Sequence, residues 1–277
     1  MISLSNLNYV YKKGAVAIKN ANGSIGAGIY LLLGENGAGK TTLMHLISGL
    51  LCPTSGSCDL DGEAPSQRKP SVMRRIFFLG DNMGFPARSI NEMVKIHAVF
   101  YPNFDAALLK EYLGRFGMTG DEHIDKLSLG NRHKAQTAYA LALNAEVTLL
   151  DEPANGLDIT ARQQLQTLLA ESDNEKRTVI ISTHTVSDFE ALFDGIIMMH
   201  KGELFFALTC EAIMSKLAFV SSDTPPIVTP LYSERRINTF NYIIPADGEY
   251  YSDLDYLLLY NAMMSPESTK ILSILNS

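Results

Sequence analysis

The sequence predicts an α/β fold: a mainly parallel sheet, an antiparallel β part at its N-terminal end, a helical insertion in the middle and a small α+β appendage at the end. Three observations predict it. Apolar runs of strand length at residues 29–33, 147–150 and Thr178–Ser182 have the composition of strands buried on both faces. Each run is followed by a loop and then by residues at helical spacing, the alternation that builds a parallel sheet. Between the first and second runs, residues 89–144 read as helical, an insertion into that alternation.

Taken in order, residues 2–10 and 15–25 alternate loosely and end at Gly26 and Gly28, as antiparallel strands with glycine turns do. The strand at 29–33 leads into the glycine-rich 34–39 and then into a helix at 40–48, with Leu43, Leu46 and Ile47 on one face. Ser89 and Glu92 have capping-box spacing. Ile90, Met93, Val94 and Ile96 supply one apolar helical face; Leu108, Leu109, Tyr112, Leu113 and Phe116 supply another, stopped by Gly117. A strand at 147–150, a helix at 158–170, the strand Thr178–Ser182 and a helix at 186–193 follow. Past Gly202 the alternation stops: Pro225, Pro226, Pro230 and Pro245 interrupt short segments. Half of the twelve tyrosines (Tyr232, Tyr242, Tyr250, Tyr251, Tyr256, Tyr260) fall in this stretch. The expected boundary lies near Lys216, giving a domain at 1–215 with its helical part at about 86–144, and an appendage at 216–277 with helices around 254–263 and 267–275.

At 277 residues, and roughly 150 per domain, the chain has room for one large domain and an annex. Hydrophobic residues at 46% and charged residues at 19% exclude wholesale disorder and fibrous compositions. A formal charge of −7 argues against a broad footprint for nucleic acid or anionic lipid, so no nucleic-acid partner is expected. No run of about 18 apolar residues appears, so any membrane role needs a partner. Residues 1–13 lack a basic segment followed by an apolar one, which leads us to expect a cytoplasmic chain. Cys52, Cys58 and Cys210 are odd in number, lack metal-ligand spacing and read as reduced structural thiols.

Gly34-Glu35-Asn36-Gly37-Ala38-Gly39-Lys40-Thr41-Thr42 matches the phosphate-loop pattern, with the required strand before it and helix after it. Glycines let the backbone wrap phosphates, successive N–H groups and the helix N-terminus point at them, Lys40 adds a mobile charge, and Thr41 offers a hydroxyl to Mg²⁺. A helix terminus alone contributes about 0.3–1 kcal/mol. Micromolar nucleotide binding needs about 8 kcal/mol, so the loop has to act together with Lys40, the metal and further contacts. The strand at 147–150 ends in Asp151 and Glu152, which places carboxylates at the carboxyl edge of a parallel sheet. There Asp151 can help hold Mg²⁺ and Glu152 can polarise an attacking water.

With three further motifs the chain resembles ATP-binding subunits of the ABC (ATP-binding cassette) transporter family, of the bacterial exporter type, over about residues 1–210. Leu127-Ser128-Leu129-Gly130-Asn131 is similar to the family's signature, Asn155-Gly156-Leu157-Asp158 to its D-loop, and His184 to its switch histidine. Tyr11, or alternatively Tyr9, is placed like the aromatic residue that stacks on adenine. The resemblance implies a P-loop NTPase core and an ATPase that uses ATP and Mg²⁺, with Glu152 and His184 catalytic. It implies nucleotide contacts from Tyr11, Gly34, Asn36, Gly37, Gly39, Lys40, Thr41, Thr42, Ser128, Gly130 and Asp158. It also implies a head-to-tail homodimer, or a pair with a second cassette, in which Ser128 and Gly130 meet the ATP of the other subunit. The subunit would work beneath a separate transmembrane permease at the inner face of the membrane. The tail segment beginning Asp253-Leu254-Asp255 resembles the acidic-Leu helix near the end of such exporter subunits.

Three positions depart from the pattern. Leu129 stands where the signature has its first glycine, and Asn131 ends it. Asp81, after Gly80, stands where the family has glutamine, which leads us to expect a contact to Mg²⁺ or its water from a shorter, charged side chain. The function expected is an ATP-hydrolysing transport subunit, with export as the direction. The alternative is a soluble ABC ATPase outside transport, or a nucleotide-dependent interaction module.

Overall fold

The computed structural model describes residues 1–81, 83–172, 176–246 and 253–276; Tyr250 and Tyr251 lie outside them. Strands β1 (Ile2–Val10), β2 (Val16–Ile25), β3 (Gly28–Leu33) and β4 (Ser55–Leu60) and helix α1 (Lys40–Ile47) open the chain. The short α2 (Pro70–Met73) and β5 (Ile76–Leu79) lead to the insertion, α3 (Ile90–His97), α4 (Ala106–Arg115) and α5 (Leu129–Ala142). Then come β6 (Val147–Asp151), α6 (Ile159–Ser172), β7 (Thr178–Ser182), β8 (Gly195–His200), β9 (Glu203–Thr209) and α7 (Cys210–Met214). The appendage holds β10 (Leu217–Ser222), β11 (Tyr232–Arg236), β12 (Thr239–Pro245), α8 (Tyr256–Met264) and α9 (Ser268–Leu275).

Nine strands form one sheet in the order β4-β1-β2-β9-β8-β3-β7-β6-β5. β5, β6, β7, β3 and β8 run parallel; β1 pairs antiparallel with β2 and with β4, as the loose alternation of 2–25 predicts. The continuous apolar run in β3 has a simple cause. Its alternate residues Ile29, Leu31 and Leu33 join the core on one face, while Tyr30 and Leu32 join the core on the other. Strands buried on both faces carry no polar alternation.

The insertion begins as the capping box predicts: the Glu92 N–H donates to Ser89 Oγ, although the Glu92 carboxylate reaches back to the N–H of Arg88. Ile96 departs from the expected face; it is exposed, while Ile90 and Met93 are buried. The expected helix at 186–193 is two separate 3₁₀ turns, Val186–Asp188 and Glu190–Leu192. The reason lies in its neighbours. Asp194 N–H, which would extend an α-helix to the Glu190 carbonyl, donates instead to Ile29, and the Tyr256 hydroxyl takes the Glu190 carbonyl.

The appendage is joined to the main core. Leu217, Phe219, Ile243, Tyr256 and Leu259 belong to the same buried cluster as Leu31, Ile181 and Met198, leaving only Ala218, Tyr242 and Ile244 as a small core of their own. Cys52, Cys58 and Cys210 are free thiols, and burial pushes Cys58 up to about 12.

Candidate nucleotide site

Parallel strands deliver their C-terminal ends to one edge, and three of them carry the candidate chemistry. β3 runs into the phosphate loop, β6 ends at Asp151, and β7 ends at Ser182 beside it in register. The loop needs its glycines because of close approaches. A Cβ on Gly34 would lie 2.4 Å from the Met199 carbonyl oxygen, and one on Gly39, at φ +103°, would lie 2.6 Å from that of Ala17. The loop is thereby pressed onto β2 and β8 at its ends. Between them Gly37 has open space.

Lys40 opens α1 and folds back along the loop, its Nζ donating to the carbonyls of Gly34 at 2.7 Å and Glu35 at 3.1 Å. Burial lowers its pKa, and the nearby Glu152 and Asp151 oppose that shift. Thr41 Oγ1 donates to Asp151 Oδ2 at 2.8 Å, and the Ser182 hydroxyl donates to the other oxygen of the same carboxylate. One hydroxyl and one carboxylate make a sparse donor set. It fits Mg²⁺, which keeps waters and takes phosphate oxygens rather than demanding an all-protein cage. Among the described residues no group of three or more His, Cys, Asp or Glu side chains is built like such a cage.

Glu152 sits next to this pair in a left-handed backbone conformation, φ +53°. A non-glycine residue there is strained, and such strain clusters at functional sites. Its carboxylate accepts from the backbone N–H of His184 at 3.3 Å and faces His184 Nε2 at 3.1 Å. Burial pushes the Glu152 carboxyl above the ordinary carboxylate range, Asp151 adds to the push, and His184 and Lys40 oppose it. A half-buried carboxylate with a raised pKa is suited to accept a proton near neutral pH.

The two tyrosines pack edge to face with ring centroids 4.9 Å apart, but differ in exposure. Tyr9 packs partly buried against the core, while Tyr11 is 41% exposed and shares a 2.9 Å hydrogen bond with Thr42 Oγ1. Ser128, Gly130 and Asp158 sit at the starts of α5 and α6. Ser128 caps α5, accepting from Asn131 N–H, and Asp158 caps α6, accepting from Ala161 N–H. A Cβ on Gly130 would lie 2.6 Å from the Gly156 carbonyl, so the signature helix starts in contact with the D-loop turn. Asp81 meets the same turn and α5: Asn155 Nδ2 donates to its carboxylate at 2.8 Å, and its carbonyl lies 3.0 Å from His133 Nε2.

Two contributors were missed in the sequence. Ser182, which holds Asp151, ends an apolar strand and carries no motif. Arg162 binds the Leu157 carbonyl of the D-loop and pairs with Asp188 beyond the switch histidine, at 2.8 Å. Only the paired elements in space reveal it.

Comparison with known proteins supplies the family. The ABC transporter family model matches residues 18–155. The ABC transporter ATP-binding protein NatA of Bacillus subtilis is 30% identical over 73% of this chain and 85% of its own length. The chain belongs to the ABC transporter family. It is an ATP-binding subunit and an ATPase. The bacitracin transport ATP-binding protein BcrA of Bacillus licheniformis is 31% identical over 79% of this chain and 74% of its own. Among solved structures, the ATP-binding cassette MJ0796, a dimer in a post-hydrolysis state with ADP and phosphate, aligns at a TM-score of 0.64 and 25% identity, over 76% of this chain and 98% of its own. No helix among the described residues of this ABC subunit is long and apolar enough to cross a membrane.

Proposed function

We propose that two copies of the chain pair head to tail around two Mg-ATP, and that their closing and opening drive a separate membrane-spanning permease in export. One observation carries the pairing. Lys40, Thr41, Asp151, Glu152 and His184 are joined to the phosphate loop and to one another, whereas Ser128 caps α5 and Gly130 lies against the D-loop turn. In this reading each group is half of a composite site completed by a second copy. The solved dimer of the cassette MJ0796 supports a pairing of two chains.

In this reading Tyr11 stacks on the base, and Gly34, Asn36, Gly37, Gly39 and Thr42 shape the loop around the phosphates. Lys40 leaves the loop carbonyls to bind the terminal phosphates, an exchange that strengthens its hydrogen bonds because the new partners are charged. Mg²⁺, held by Thr41 and Asp151, would neutralise phosphate charge and align the terminal phosphoryl group. Glu152 takes the proton of the attacking water as the bond to the leaving phosphate breaks, and His184 holds the Glu152 carboxylate in place. Ser128 and Gly130 of the second copy contact the terminal phosphate, so its loss releases the pair. Contacts that differ between ATP and ADP are what allow nucleotide to shift the equilibrium.

Ile96, Val99 and Phe100 are exposed together at the end of α3 and in the turn after it, an apolar patch fitted to a protein partner. The compact insertion and short appendage support export. In this reading the chain sits at the inner face of the membrane through its permease. Purification of the tagged chain from detergent-solubilised membranes should bring with it a protein with about six hydrophobic spans of helix length. Val99→Asp with Phe100→Asp should release it. A chain that never fractionates with membrane would overturn the transport reading.

A further inference from the structure

His184 stands on a segment that holds itself weakly. After β7 the chain passes through Thr183 and His184 into the 3₁₀ turns Val186–Asp188 and Glu190–Leu192 before it reaches β8. Such turns have poorer hydrogen-bond geometry than an α-helix, so short runs of them depend on their neighbours. On one side the segment meets open space: His184, Val186, Ser187 and Glu190 line a cleft of about 730 Å³ beside the phosphate loop.

Side chains from two other elements hold it. Arg162 of α6 pairs with Asp188 in the first turn. The Tyr256 hydroxyl, at the start of α8, donates at 3.1 Å to the Glu190 carbonyl in the second, and the Tyr256 ring packs on Phe193 with centroids 6.0 Å apart. Burial pushes the Tyr256 hydroxyl up, so it stays a donor at neutral pH. Tyr256 is itself fixed by the appendage. Its neighbour Asp255 caps α8, accepting from the N–H of Leu258, and takes Arg236 of β11 at 2.9 Å.

Resting on the role given to His184 above, we propose that Tyr256 is a positioning residue for the His184–Glu152 pair: the appendage, through α8, sets where the switch segment stands and so where the imidazole meets the carboxylate. Without the hydroxyl the second turn is released, and the cleft leaves it room to move. Tyr256 acts on the pair through the backbone of the turns, so its effect falls on turnover and not on nucleotide binding. The appendage is then a working part of the ATPase as well as an addition to its core.

The test uses the full-length chain carrying Tyr256→Phe, which keeps the ring and removes the hydroxyl. Two quantities are read: steady-state ATPase activity, and the imidazole NMR resonances of the 6 histidines, with that of His184 assigned by its loss in His184→Ala. In Tyr256→Phe, kcat should fall by about tenfold while KM for ATP changes by less than about twofold. The His184 resonance should move while those of the other histidines hold. An unmoved His184 resonance or an unchanged kcat overturns the proposal and leaves the role of His184 standing. Movement of every histidine resonance marks a general loosening of the fold and overturns it as well. If His184→Ala turns over at the parent rate, the role of His184 falls, and the positioning role falls with it.

Discussion

The phosphate-loop edge and the signature edge are built by different means. At the first, strand ends converge, and each polar group already has a partner: Lys40 on loop carbonyls, Thr41 on Asp151, His184 on Glu152. At the second, helix starts converge. Ser128 and Asp158 serve as caps, Gly130 allows a close approach to Gly156, and apolar Leu129 and Ile159 face outward. In the proposed reading the first edge serves chemistry and the second serves recognition of a second copy.

Glu152→Gln should break that contrast most sharply. A general base contributes about 10²–10⁴-fold, so turnover should fall by that order while ATP binding persists. The pH dependence sharpens the assignment. Because burial raises the Glu152 pKa, the proton-accepting form is gained only as pH rises through a value above the ordinary 4.5, so the acid limb of kcat/KM should lie above pH 4.5 and be absent from the residual rate of the variant.

Next in size is Lys40→Ala. Loss of a charge-assisted contact of about 1.5–3 kcal/mol should weaken nucleotide binding by roughly 10- to 150-fold, as titration with a fluorescent ATP analogue would show. The smallest effect belongs to Asp81. Since its carboxylate accepts from Asn155, Asp81→Asn, which keeps an oxygen there, should leave the Mg²⁺ requirement of the ATPase unchanged. Asp81→Ala loses a hydrogen bond of about 1 kcal/mol and should lower the unfolding midpoint by about 2–4 °C. A shifted Mg²⁺ requirement in Asp81→Asn would instead return Asp81 to the metal.

The chemistry edge was legible in the sequence because strand ends and loops carry local signals. The apolar run of β3 followed by Gly34–Thr42, and that of β6 followed by Asp151 and Glu152, fix both the element and its edge. The recognition edge was legible as motif and not as arrangement. Nothing in Asn155 or Asp81 alone says that they meet across 74 positions of sequence. The turns at 186–193 show the same limit: their spacing fits a helix, and what breaks it is Tyr256 and Ile29, from α8 and β3. The change of composition past Gly202 marks the appendage off as an annex, yet its apolar residues join the main core.

The central claim is that each ATP site is shared between two copies. Its most direct measurement is the ATPase rate of a mixture of two inactive chains, one carrying Lys40→Ala and the other Ser128→Arg. In a mixed pair, the intact phosphate loop of the second chain faces the intact signature of the first. The account predicts that each chain alone is inactive and that mixing restores turnover at one site per pair. A mixture as inactive as its components, or full activity from Ser128→Arg alone, would contradict it.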